Sequence, residues 1–319
     1  MDYQNITISA TPHVRSKDST QTIMRDVIIA LLPATVVGII KFGLNALMLV
    51  TIAIATAVIA EALYQKATKQ KVTISDLSAV VTGLLLAMNL PSGAPWWIPI
   101  VGSVFAIVVA KQLFGGLGQN FINPALAGRA FLLASYPTIM TTWVTPGADA
   151  VSTAAPLALL KIGSEEALSQ LPSLTDAAIG HMAGCIGEVS AIALLFGGLY
   201  LLFRGVISWR IPATYILTVF VLFMFMGRGA SPVYELLIGG LMLGAFFMAT
   251  DYASSPITAK GQIIMGVGCG ILTVLIRVFG GYPEGVSYSI LIMNLCVPLI
   301  DRYTKGKIFG ALPKEAKKA

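Results

Sequence analysis

A chain of 319 residues that is 56% hydrophobic and 11% charged, with a mean hydropathy of +0.82, exceeds what a soluble domain tolerates, since such domains carry roughly 25% charged residues. The net charge of +6 is no nucleic-acid footprint, because the basic residues follow a membrane pattern described below. The three cysteines, Cys185, Cys269 and Cys296, stand alone in apolar segments without C-x-x-C spacing, which excludes a disulfide framework or a cysteine-held cluster.

Residues 1–26 are polar, show no secretory leader pattern and form a cytoplasmic N-terminal segment. Apolar runs of spanning length then follow at Val27–Phe42, Ala46–Tyr64, Leu77–Leu90, Trp96–Phe114, Pro124–Met140, Ala177–Phe203, Ile211–Met226, Tyr234–Ala249, Ile263–Phe279 and Val286–Ile300. The fold class is therefore an all-α polytopic membrane protein of about ten transmembrane helices across residues 27–303. Counting divides them into two inverted five-helix halves with broken helices, although no sequence repeat accompanies the count. A basic tail, residues 304–319, closes the chain.

With ten spans both termini share one face. That face holds Arg15, Lys17, Arg25, Lys66, Lys69, Lys71, Lys111, Arg204, Arg210, Lys260, Arg302, Lys305, Lys307, Lys314, Lys317 and Lys318. The other face holds Lys41, Lys161, Arg228 and Arg277, and Arg129 is left near the start of the fifth span. Sixteen against four places both termini in the cytoplasm by the positive-inside rule.

Between the fourth and fifth spans lies Gly115-Gly-Leu-Gly-Gln-Asn-Phe-Ile-Asn-Pro-Ala-Leu-Ala-Gly-Arg-Ala-Phe131. Gly115, Gly116 and Gly118 break helix and allow close backbone approach. Asn123 before Pro124 is a helix-start signal, and Asn120 sits three residues earlier. Two amides beside a helix N-terminus suit a neutral, hydrogen-bond-rich ligand or an anion; equally, they suit a re-entrant turn whose Asn side chains only cap backbone groups. The outer loop, about residues 141–176, contains Asp149-Ala-Val-Ser-Thr-Ala-Ala-Pro-Leu157, in which Ser152, Thr153 and Pro156 read by themselves as turn-forming residues. Gly280–Gly285 and Thr250–Pro256 likewise read as turns at span ends. Glu61, Glu188, Glu235 and Asp251 are ionisable residues beside apolar segments and so are functional candidates. Glu188, within Gly184-Cys-Ile-Gly-Glu-Val-Ser190, has glycines around it that open space for its carboxylate, with Ser190 as the local alternative partner. His13 and His181 lack partners at metal-ligand spacing, so no metal site is expected.

Taken together, Thr11-Pro-His-Val-Arg-Ser, the Gly115–Phe131 stretch, Gly184–Ser190, Gly280-Gly-Tyr-Pro-Glu-Gly-Val and Val297-Pro-Leu-Ile-Asp-Arg-Tyr-Thr resemble the family that unites the D subunit of Rnf complexes with the B subunit of the sodium-pumping NADH:quinone reductase. The resemblance runs from about Thr11 to Gly310. It implies a flavin-carrying subunit of a translocase in the bacterial plasma (inner) membrane, inactive alone, that relays electrons between ferredoxin and NAD+ partners and couples them to Na+ or H+ transport. The implied partners are the other Rnf subunits, with their iron–sulfur and flavin groups, and the lipid bilayer; nucleic acid is not one.

The implied cofactors are FMN and riboflavin. Family members esterify FMN to a Thr in a pattern like Asp-Gly-x-Ser-x-Ala-Thr-Pro-Leu; here Asp149, Ser152, Pro156 and Leu157 match, but Ala155 stands at the attachment position. Without a hydroxyl there, the bond is lost or moved to Thr153. Riboflavin is assigned by the resemblance to Gly118, Asn120 and Asn123, with Phe131 two helical turns on to pack against its ring. The alternative from another class is a secondary transporter or channel with no redox role, and a third reading is a structural anchor for redox partners.

Overall fold

The computed structural model describes residues 18–144, 152–153, 156–169, 171–188, 190–226, 231–281 and 284–306. The first motif of the resemblance, His13, Arg228, Asp149 and Ala155 lie outside the described residues, and of Ser152 and Thr153 only the backbone is described.

Helix dominates, as the hydropathy requires. Two long helices, α1 (Thr20–Phe42) and α2 (Leu44–Ala67), form an opening hairpin, and α14 (Ala259–Phe279) is the third helix both long and apolar enough to cross a bilayer. The remaining crossings are shorter or interrupted. α3 (Ser78–Met88) stops after 11 residues, about half a hydrocarbon thickness at 1.5 Å per residue. α4 (Ile98–Val104) runs on as a π-helical turn, Phe105–Val109, before unwinding. α5 (Pro124–Ser135) is parted from the short α6 (Pro137–Met140) at Tyr136, where Pro137 ends the helix. α10 (Ala191–Phe203), α11 (Arg210–Met226) and α15 (Val286–Thr304) complete the set.

The fourth and fifth predicted spans are thereby interrupted, and two further ones are not single helices. The sixth, expected as Ala177–Phe203, consists of α9 (Leu174–Ile179), an irregular passage, and α10. The eighth, expected as Tyr234–Ala249, breaks between α12 (Pro232–Leu237) and α13 (Leu241–Leu243), where Gly239 and Gly240 take φ of 71° and 68°; a π-helical turn, Gly244–Met248, follows. Glycines mark both breaks, joined in the sixth span by His181, Glu188 and Ser190, and irregular backbone is tolerated at such places because protein surrounds it.

The freed backbone groups are satisfied by each other. Ile186 N donates to Leu90 O at 3.0 Å and Gly187 N to Met88 O at 2.8 Å, and Pro91 pairs with Cys185 as an antiparallel bridge. The break after α3 and the break before α10 are therefore stitched together inside the core. Arg277 does the same for α12: fully buried, it donates to the carbonyls of Glu235 (2.6 Å) and Ile238 (3.0 Å) and to the Glu235 carboxylate (3.1 Å).

The outer loop is partly ordered by pairing of β1 (Trp143–Val144) with β2 (Ser152–Thr153). Beyond it, α7 (Pro156–Ile162) and α8 (Glu165–Ser169) follow. α7 seats Leu157 and Leu160 in a small apolar cluster with Ala177, Met182, Tyr234 and Ile238, so the loop closes over one end of the bundle.

Candidate functional site

At the opposite end from that loop, the two π-helical turns release the chain into the loops after Val109 and after Met248. Both converge on one cavity of about 380 Å³. Its walls are apolar, with Val81, Leu85, Ile207, Phe246 and Phe247 prominent, and its polar groups come from Ser78, Lys111, Asn120, Asn123, Thr250 and Asp251. A concave apolar site of this size with a few convergent polar groups is the usual form of a small-molecule site, roughly 300–1,000 Å³.

Each polar group is held by identifiable local structure. Gly115, Gly116 and Gly118 all have positive φ (114°, 90° and 85°), so the glycine-rich stretch folds as a tight loop that side chains would strain. Gly118 and Asn120 both line the cavity. The Asn120 amide donates to Ile122 O (3.1 Å) and to Asp251 Oδ2 (3.4 Å), tying the loop after α4 to the loop after α13. Asn123 is the N-cap of α5: its Oδ1 accepts from Leu126 N at 3.2 Å, Pro124 takes the first helical position, and its Nδ2 donates to Met248 O at 3.3 Å. The capping role and the lining role thus coincide in one residue. Asp251 accepts from Ser254 Oγ at 2.9 Å, and burial raises its carboxyl above the usual range, against the opposing effect of its hydrogen bonds from Ser254, Asn120 and the Ala253 amide.

Lys111 is the residue that sequence reasoning missed. It had counted only as an orientation charge, yet it is 2% exposed and lines the cavity. Its Nζ lies 2.9 and 3.1 Å from the two oxygens of Glu61 and 2.6 Å from Ser78 Oγ. Glu61 also accepts from Gln112 Nε2 at 2.9 Å and from Gln65 Nε2 at 3.4 Å. A buried carboxylate that accepts from a lysine and two amides has its lost hydration replaced by protein donors.

Phe131 does not join this cavity. It stacks on Phe105, with centroids 4.2 Å apart and planes 2° from parallel, on the helix beside it. The two-turn spacing from Asn123 was sound, but the π-helical extension of α4 already supplies its partner.

At the loop-covered end the other predicted residues meet. Pro156, Leu157, Gly184 and Glu188 line a second cavity with Trp143, Gly239 and Glu284. Its volume is about 10 Å³, on the order of one water molecule. Glu188 is buried; its Oε2 accepts from Cys185 N at 3.3 Å, while its Oε1 has no hydrogen-bond partner among the described residues. Ser190 is not that partner, since its hydroxyl caps α10 by accepting from Ala193 N at 3.2 Å. Glu284 lies in a turn, as read from the sequence, and in addition forms an ion pair with the buried Arg129. Asp251, in the other stretch read as a turn, faces the larger cavity. No group of three or more potential metal ligands occurs among the described residues.

The profile of the NQR2, RnfD, RnfE family matches residues 7–310. Over 322 residues the chain is 58% identical to the D subunit of the Na+-translocating ferredoxin:NAD+ oxidoreductase complex of Acetobacterium woodii, covering 99% of this chain and 100% of the relative. It is 46% identical to the D subunit of the proton-translocating ferredoxin:NAD+ oxidoreductase complex of Clostridium ljungdahlii, over 95% of this chain and 96% of the relative. Against the D subunit of the ion-translocating oxidoreductase complex of Shewanella amazonensis the identity is 40%, with 95% and 97% covered.

Proposed function

Because this chain belongs to the NQR2, RnfD, RnfE family, we propose that it is the membrane-embedded D subunit of an ion-translocating ferredoxin:NAD+ oxidoreductase, working in complex with the other Rnf subunits. Its near-complete alignment with a subunit of that name is the observation that carries the reading. The chain has neither a dinucleotide-binding glycine fingerprint nor a ferredoxin cysteine pattern, so the ferredoxin and nicotinamide chemistry belongs to its partners. The charge asymmetry supports a reading in which the chain resides in the bacterial inner membrane with both termini cytoplasmic; in that orientation the larger cavity would lie at the cytoplasmic end. The relatives' names divide between Na+ and protons, and nothing in this chain's residues selects between them.

The further step concerns cofactors. The larger cavity suits an isoalloxazine ring: its volume falls in the ligand range, its walls are apolar, and its polar groups cluster at the loops. A bound flavin accepts electrons singly or in pairs, which joins one-electron iron–sulfur carriers to a two-electron carrier. Asn120 and Asn123 would hydrogen-bond the polar edge of the ring, Phe246 and Phe247 would wall its faces, and Lys111 would place a positive charge beside it. The smaller cavity does not fit such a ring, and Ala155 offers no oxygen for an ester, so no electron step is drawn through covalent FMN at that position.

Replacing Asn120 and Asn123 together by Ala in the intact complex tests the assignment. The expected result is loss of extractable riboflavin from an assembled complex that keeps the flavins of its other subunits. Retention of the wild-type flavin content would remove these residues from the site.

A further inference from the structure

A line of polar groups joins the two cavities through the middle of the bundle. It starts at Asn123, whose amide donates to Met248 O, and passes to Asn89, whose Nδ2 lies 3.6 Å from Met248 Sδ. Arg129 follows: Nη1 donates to Asn89 Oδ1 at 2.8 Å and to Ser287 Oγ at 3.0 Å, and Nη2 reaches Cys185 Sγ at 3.7 Å and pairs with Glu284. Cys185 N then leads to Glu188, which with Glu284 faces the outer cavity.

Such a track is a hazard in a protein whose complex works against an ion gradient. The carboxylates of the buried Glu188 and the partly buried Glu284 attract cations, and Asn89, Ser287 and Asn123 supply oxygens that coordinate them. One cation stands in the track, on α5, six residues beyond the Asn123 cap. We infer that Arg129 is an electrostatic barrier to cations: it closes the polar track between the two cavities to Na+ and H+ while leaving the bundle free to carry electrons. A fixed guanidinium excludes cations by charge and by occupying the oxygens they would use. With Arg129 in place the trio Arg129, Glu188 and Glu284 carries one net negative charge at most; without it, two, and a side-chain-sized void open to water.

The same contacts also serve to hold α5 against the breaks before α10 and after α3, so the test must separate charge from packing. The whole complex is reconstituted in liposomes, and passive Na+ entry and proton leak are followed with entrapped fluorescent indicators in the absence of electron donors. Arg129→Gln is expected to raise passive cation entry roughly tenfold or more, the scale set by removing one intramembrane charge. Arg129→Lys, which keeps the charge and loses the fork, is expected to stay close to wild type. Should Arg129→Gln fail to assemble, the double variant Arg129→Gln with Glu284→Gln replaces it; it keeps the wild-type net charge but lacks the fixed cation, so a leak above wild type, smaller than that of the single variant, is expected. An assembled glutamine variant as tight as wild type overturns the inference. So does a lysine variant that leaks as much as the glutamine one, because packing alone would then explain the seal. No flavin enters these readings, so they stand apart from the cofactor assignment.

Discussion

The Lys111–Glu61 pair shows how a charge survives inside this bundle. Both residues are almost completely buried, and four hydrogen bonds converge on the carboxylate, so neither charge is left bare. Removing one partner strands the other, which costs about 3–5 kcal/mol, whereas removing both leaves a polar but uncharged site. Lys111→Met and Glu61→Gln are therefore each expected to lower the thermal stability of the complex sharply. The combined variant is expected to recover much of that loss, as read by the unfolding transition of purified protein. Equal losses for the singles and the double would mean that the two residues act separately. Asn123 was legible from sequence as a helix cap, since capping needs only its neighbours Pro124 and Leu126. Lys111 and Arg129 were not legible as site residues. Their partners Glu61 and Glu284 lie 50 and 155 residues away, and a charge's place in the chain gives its depth in the membrane without its partner.

Among the elements, the three long helices are legible in the hydropathy because lipid contact demands unbroken apolar surface along their length, with ends displaced by up to seven residues, the most at the start of α1, which begins at Thr20 and not Val27. The interrupted ones were harder. In the sixth and eighth spans the backbone unwinds where protein surrounds it, so average hydropathy stays high across the break and its trace is glycines, with His181, Glu188 and Ser190 beside them in the sixth. Phe131 lies outside the larger cavity for a related reason: helical spacing gives its height on α5, but its stacking partner Phe105 comes from tertiary packing. Close approach of α1 to α10 depends on small residues. A Cβ added to Gly197 would stand 2.1 Å from the Ala30 carbonyl oxygen, a backbone atom that cannot turn aside, whereas one added to Gly281 meets nothing within 4 Å. Gly197→Ala is expected to destabilise the protein by about 1–3 kcal/mol, the usual cost of overpacking. Gly281→Ala serves as the neutral comparison in the same thermal assay, and equal transitions for the two would show that α1 and α10 part without cost.

On the scale of the whole molecule, the sequence made the membrane class and the family plain, and the structure adds an arrangement in which two helices unwind at one end to frame a ligand-sized cavity. The opposite end is covered by α7 and nearly solid. Between them runs a polar seam with a single cation, Arg129, on α5. That asymmetry suits a subunit that takes up electrons at one face and must hold back ions along its own axis. The most direct measurement is a density map of the assembled complex as isolated, inspected at the loops after α4 and α13. The account predicts a planar, tricyclic density bounded by Asn120, Asn123, Lys111 and Asp251. A cavity filled there by lipid or by collapsed side chains, in a complex that yields no extractable riboflavin, would contradict it.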